Sequence, residues 1–169
     1  MTLDHLNTLP EEEARVAFLR CCGATQWARQ MTTRRPFANP EVLFAAADEI
    51  WAGLSQDDWL EAFAHHPRIG DLDSLRTRFA GTRVWAAGEQ ASAATASEEV
   101  LHALAEGNRA YEERFGYIFI VCATGKSADE MLGLLHVRLP NAPTAELPVA
   151  AEEQRKITRL RLEKLIRDA

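Results

Sequence analysis

One stretch of this chain, Tyr117-Ile118-Phe119-Ile120-Val121-Cys122, reads as a β-strand: it is aromatic and β-branched, with no polar alternation. No second run of that kind is present to pair with it, so a sheet built within one chain is excluded. The run is expected as a buried extended segment or a distorted helical turn, whose backbone N–H and C=O groups must find partners elsewhere.

Helix signals fill the rest. Thr8-Leu9-Pro10-Glu11 has the form of a capping box opening a helix that Gly23 can close, with Ala14, Ala17, Phe18 and Cys21 on its apolar face. A shorter amphipathic piece runs from Gln26 to Thr32, and Arg34-Arg35-Pro36-Phe37 forms a loop. The two arginines there are an anion site or, more commonly, a solvated turn. Asn39-Pro40 starts a helix whose face is Leu43, Ala46, Ala47, Ile50, Trp51 and Leu54. Gly53 breaks it, and Ser55 caps the next. Asp71 to Phe79 gives a loop and a short helix, and Thr82 caps a piece carrying Trp85, Glu89 and Gln90. Thr95-Ala96-Ser97-Glu98 is a second capping box and Ser127-Ala128-Asp129-Glu130 a third. The last helix spans Thr144 to Arg167, with Pro148 in its first turns and a stripe of Leu147, Ala151, Gln154, Ile157, Leu160, Arg161 and Leu165. The pattern predicts a single all-α domain, a bundle of about eight helices over residues 1–169 with no internal boundary.

At 169 residues and 47% apolar content the chain can build a real core, and no apolar run approaches a membrane span. The start lacks a basic region followed by an apolar block, and the end carries no targeting tripeptide, so a cytoplasmic protein is expected. A net charge of −6 without a basic stripe argues against nucleic acid as a partner. Cys21, Cys22 and Cys122 have no metal-type spacing with His, and the five histidines form no ligand pattern. No metal is expected, and the cysteines read as small buried hydrophobes in a reducing compartment.

The chemistry-bearing feature is His66-Pro67-Arg68-Ile69-Gly70, entered from a helix marked by Trp59, Leu60 and Phe63. Pro67 turns His66 away from helical geometry and Gly70 permits a sharp turn, so an imidazole stands at a helix mouth. Alone, such a histidine is more often a cap for the last carbonyls. Glu89 alone reads as a solvated helix residue, and Arg161 as a surface residue of the last helix.

In order along the chain stand Arg35-Pro36-Phe37, His66-Pro67-Arg68-Ile69-Gly70 and Glu89-Gln90. There follow Asn108-x-x-Tyr111-x-x-x-Phe115-Gly116-Tyr117, the run to Cys122, Arg138-Leu139-x-Asn141 and Glu146-Leu147. Lys156-Ile157-Thr158-x-Leu160-Arg161-Leu162 completes the set. Together they resemble the 2-oxo-4-hydroxy-4-carboxy-5-ureidoimidazoline (OHCU) decarboxylases of the uric-acid-to-allantoin pathway, over nearly the whole chain. The resemblance implies an all-helical homodimer without metal or organic cofactor, releasing CO₂ and forming S-allantoin. By position His66 matches the catalytic histidine and Glu89 the catalytic carboxylate. Pro67 and Gln90 line the site, and Arg161 faces the substrate. Phe119, Ile120, Val121, Cys122 and Ala123 touch the ligand through their backbone. The family's usual serine three residues before the glutamate is Ala86 here, which removes one hydrogen bond to the ligand, about 1 kcal/mol net.

Two other readings compete. One is another enzyme of the ureide pathway on the same scaffold. The other is a catalytically silent helical partner protein, which has no need for Pro and Gly beside a His or for a Glu-Gln pair.

Overall fold

The computed structural model describes residues 1–67, 71–79 and 90–167, and side chains within these ranges except those of 90–97. Nine helices and no strand are present among the described residues: α1 (Leu3–Thr8), α2 (Glu11–Cys21), α3 (Thr25–Arg34), α4 (Pro40–Ala52), α5 (Gln56–Ala64), α6 (Leu72–Arg78), α7 (Gln90–Phe115), α8 (Ala128–Arg138) and α9 (Pro143–Leu165). The all-α class is as expected.

Several starts follow the sequence signals. Asn39 accepts a hydrogen bond from the Val42 N–H, with Pro40 at the first helical position of α4. Ser55 and Asp58 form a reciprocal capping box on α5, Asp71 caps α6, and Ser127 accepts from the Glu130 N–H of α8. Two capping boxes do not form. Thr8 is the last residue of α1, a helix absent from the sequence reading, and its hydroxyl donates to the Asp4 and His5 carbonyls at 3.1 Å. The N-cap of α2 is therefore Pro10, with no side-chain cap, and α2 closes at Cys22 instead of Gly23. Residues 95–98 lie inside α7, which already runs at Gln90. An alanine-rich segment propagates helix more readily than a Thr–Glu pair interrupts it. The helix start expected at Thr82 lies outside the described residues.

The described chain groups into two compact units. The first comprises Met1–His66, Ile120–Cys122 and Val149–Ala169. Its core holds Leu6, Phe18, Trp27, Met31, Leu43, Phe63 and Leu162, all fully buried. Phe18 meets Trp27 edge-on at 5.9 Å between ring centroids. Buried indole N–H groups need acceptors; Trp27 donates to the Ala47 carbonyl at 3.2 Å and Trp51 to that of Ala151 at 2.9 Å. Arg34, expected in a loop, is the last residue of α3, and both it and its neighbour Arg35 are engaged with protein. Arg35 donates to the Leu6 and Leu9 carbonyls at 2.8 Å each, and Arg34 pairs with Glu49 at 3.0 Å.

The second unit comprises Pro67–Phe119 and Ala123–Pro148. Here α7 packs on α8 at Gly107, where an added Cβ would lie 2.3 Å from Leu135 Cδ2. Gly116 ends α7 with φ +82°, a left-handed backbone that suits glycine. Glu146, fully buried, accepts from the Tyr111 hydroxyl at 2.6 Å, from Arg138 Nε at 2.6 Å and from Asn141 Nδ2 at 2.9 Å. The Arg138 guanidinium lies 4.5 Å over the Phe119 ring. Burial, then the Glu146 contact, push the Tyr111 phenol far above its ordinary range.

Candidate active site

The α5 helix brings His66 into place. His65 is its C-cap, and the His66 N–H still reaches the Phe63 carbonyl at 3.3 Å before Pro67 turns the chain away. Gly23 permits the approach beneath: a Cβ there would stand 2.4 Å from the His65 Cβ. The His66 imidazole is half-buried, and its Nε2 forms a short hydrogen bond with Gln154 Oε1 of α9. Gln154 is fully buried, and its Nε2 donates to Thr158 Oγ1, one turn on, at 3.0 Å. The Thr158 hydroxyl in turn touches the Cys22 sulfur, whose thiol burial pushes up to about 11, so it stays protonated.

Burial lowers the His66 pKa from its ordinary 6.5; the Gln154 hydrogen bond opposes this and the Arg161 charge adds to it. The ring is therefore neutral at pH 7. Arg161, at the next turns of α9, is half-buried and donates from NH1 to the Cys21 carbonyl at 3.4 Å. That long bond occupies one of the five donors a guanidinium carries. His66 and Arg161 thus sit within electrostatic reach of each other, in the first unit.

The apolar run at 117–122 is neither helix nor strand, and its backbone finds a side-chain partner. The Cys122 N–H donates to Glu153 Oε1 of α9 at 3.1 Å, and Lys156 holds the other oxygen of that carboxylate at 2.7 Å. Ile120 and Cys122 are buried, and Val121 is half-buried. Of the other expected site residues, Pro67 is exposed while Phe119 and Ala123 are half-buried, all in the second unit. Glu89 and Ala86 lie outside the described residues. Gln90 opens α7, and its side chain is not among those described.

Sequence reasoning placed Gln154 on the apolar stripe of α9 and did not single out Thr158. After Glu146, the buried line of that helix is Ala150, Ala151, Gln154, Thr158 and Leu162, whereas Leu147, Ile157, Leu160 and Leu165 are only half-buried. The signal that could have found the pair is two polar residues four apart at core positions, one turn before an arginine.

Among the described residues, no group of three or more His, Cys, Asp or Glu is arranged to hold a metal ion. No described helix is long and apolar enough to cross a membrane.

The sequence model of the OHCU decarboxylase family matches residues 7–163. The uric acid degradation bifunctional protein TTL of Arabidopsis thaliana is 44% identical over 151 residues, covering 88% of this chain and 46% of that protein. The chain thus spans about half the length of that relative. The 2-oxo-4-hydroxy-4-carboxy-5-ureidoimidazoline decarboxylase of Amia calva is 33% identical over 134 residues, 78% of this chain and 75% of that one. A crystal structure of OHCU decarboxylase in the presence of (S)-allantoin superimposes with a TM-score of 0.73 at 37% identity, covering 95% of this chain and 100% of that chain.

Proposed function

This chain belongs to the OHCU decarboxylase family, and from that premise we propose that it is a carboxy-lyase converting OHCU to S-allantoin in uric acid degradation. The observation that carries the reading is the His66 imidazole, half-buried, neutral and fixed by a hydrogen bond to the buried Gln154 beside the Arg161 cation.

The substrate has a hydroxyl and a carboxylate on one carbon, next to the ring C=N carbon that bears the ureido arm. When the C–C bond to the carboxylate breaks, its electron pair forms a C=C bond with that carbon. The C=N π pair moves onto the ring nitrogen, which takes up a proton. The resulting enol then loses its O–H proton and gains one at the ureido carbon. One proton is consumed for each CO₂ released. The substrate holds its own electron sink, so the reaction asks the protein for charge stabilisation and a proton delivered to one face.

His66 is the proton-transfer group, since an imidazole titrates near the working pH. Glu89 takes the hydroxyl proton or orients His66, and its role rests on the family resemblance. Arg161 offers a planar fork to the anionic ligand. The family resemblance assigns substrate binding also to Pro67, Ala86, Gln90 and the backbone of Phe119, Ile120, Val121, Cys122 and Ala123. Of that run, the Cys122 amide is directed to Glu153, so the ligand is left to the other backbone groups. The chain acts as one domain over residues 1–169, supported by a family match that runs across both units. It is a cytoplasmic homodimer working without a cofactor; the burial of Cys21, Cys22 and Cys122 supports a reducing compartment.

The test is incubation with freshly generated, short-lived OHCU, followed by circular dichroism. Rapid appearance of one enantiomer of allantoin with release of CO₂ is expected. Allantoin forming only at the spontaneous rate, as a racemate, refutes the assignment.

A further inference from the structure

The structure assigns Gln154 as a positioning residue: it keeps the His66 proton on Nε2 and so makes Nδ1 the ring nitrogen that exchanges a proton with the substrate. This rests on the decarboxylase reading of His66 and adds to it which nitrogen works and what decides the matter.

Gln154 is 0% exposed, so both ends of its amide must find partners within the protein. The Nε2 end donates to Thr158 Oγ1 at 3.0 Å. That leaves the Oε1 end for His66 Nε2, and a carbonyl oxygen can only accept. The imidazole therefore donates from Nε2. A neutral ring has a single N–H, so Nδ1 keeps its lone pair. The groups around the ring favour this neutral form. Arg161 on α9 places a positive charge near it, His65 follows the same helix, and Cys21 and Cys22 at the end of α2 hold protonated thiols, raised to about 12 and about 11. Glu61 of α5 is engaged by the Thr25 amide and hydroxyl at 2.7 and 2.8 Å.

The arrangement supplies what a proton shuttle needs. Nδ1 takes a proton from the substrate side, the ring becomes an imidazolium, and Gln154 Oε1 still accepts from Nε2 and steadies the added charge. The same Nδ1 then returns the proton. Within the His66–Gln154 pair no other proton has to move, and the ring keeps its orientation throughout; the proton consumed at the substrate's ring nitrogen is supplied separately.

Two measurements test this. The first needs no turnover: ¹⁵N–¹H correlation spectra of the histidine ring atoms, with His66 assigned by the His66→Asn variant, near pH 7. A single neutral tautomer protonated at Nε2 is expected. A ring protonated at Nδ1, or a mixture of both tautomers, overturns the inference even if the protein is a fully active decarboxylase. The second uses Gln154→Met, which keeps the volume and removes the amide, and Gln154→Glu, which keeps the acceptor and adds a charge. In Gln154→Met, kcat falls about tenfold to a hundredfold with KM little changed. In Gln154→Glu, the acid limb of the pH–rate profile moves to higher pH, because a carboxylate favours the imidazolium. Unchanged kcat in a folded Gln154→Met, or an unmoved acid limb in Gln154→Glu, overturns it. If Gln154→Met does not fold, the tautomer of the wild-type ring decides. Absence of any catalysed decarboxylation refutes the parent reading, while the spectra still report on the tautomer.

Discussion

In the second unit, Glu146 directs both carboxylate oxygens to Tyr111, Arg138 and Asn141, and every one of those partners lies on the same closed set of side chains. In the first, the line from Cys22 through Thr158 and Gln154 ends at an imidazole that is only half-buried, with Arg161 anchored by one long bond. Both groups put polar atoms in a core. One is held by a full charge pair, Arg138 with Glu146, inside the core. The other is neutral within the core and presents its reactive end at the margin. A closed buried ion pair specifies packing; an open line specifies the state of the group at its end.

Breaking the closed set has the largest effect. Glu146→Ala removes the fully buried carboxylate that Arg138 Nε reaches at 2.6 Å, and breaking a buried ion pair from one side costs about 3–5 kcal/mol of unfolding free energy. Chemical denaturation measures it. The double variant Arg138→Met with Glu146→Leu removes both charges and loses less than Glu146→Ala alone. A double variant that is worse than the single one would mean the pair contributes net stability and not merely correct pairing.

The open line responds the other way round. His66→Asn lowers turnover on the order of 10², equivalent to about 2.7 kcal/mol of barrier. Its unfolding free energy shifts by only about 1 kcal/mol, for one hydrogen bond. Retained stereospecific turnover in this variant removes His66 from proton transfer. Arg161→Ala raises KM by about tenfold with a smaller change in kcat, as expected for a group that binds and positions an anion. An unchanged kcat/KM takes Arg161 out of the site.

The smallest effect sharpens the same contrast through pH. Burial, with help from Arg161, lowers the His66 pKa below 6.5 in the folded protein. Between 6.5 and that lower value the unfolded chain binds the proton more readily than the folded one. The stability this gives is complete above pH 6.5 and is lost as the pH falls through the folded value. Wild-type unfolding free energy should therefore fall over this window more steeply than that of His66→Asn. Equal slopes would show that the ring is as easily charged in the folded protein as out of it.

Much of this was legible in the sequence where the cause is local. Asn39-Pro40, Ser55 and Ser127 work as caps because the residues that answer them are three or fewer positions away. Thr8 misled because its hydroxyl had a nearer use, closing a helix that six residues of mixed character did not advertise. His66 stood out through Pro67 and Gly70 beside it. Its catalytic role and the choice of Arg161 came with the family pattern, and the structure adds that the two share one electrostatic environment. Gln154 escaped notice because periodicity ranks a position by its face. The function of this glutamine depends on a histidine 88 residues away, which no pattern along one helix can register.

Gly23 has a consequence for anyone who reads importance from tolerance. Its missing side chain is what lets the base of the His65 side chain lie against the backbone, with 2.4 Å to the nearest atom a substituent would meet. The obstacle is a Cβ next to the main chain, so it cannot swing aside. Every codon change at position 23 that alters the amino acid adds that atom. In a saturation library scored by allantoin production, position 23 should be depleted as severely as position 66. A ranking by depletion alone would place both in the same class. Scoring the same library for folded protein separates them: variants at 66 survive that sieve and variants at 23 do not.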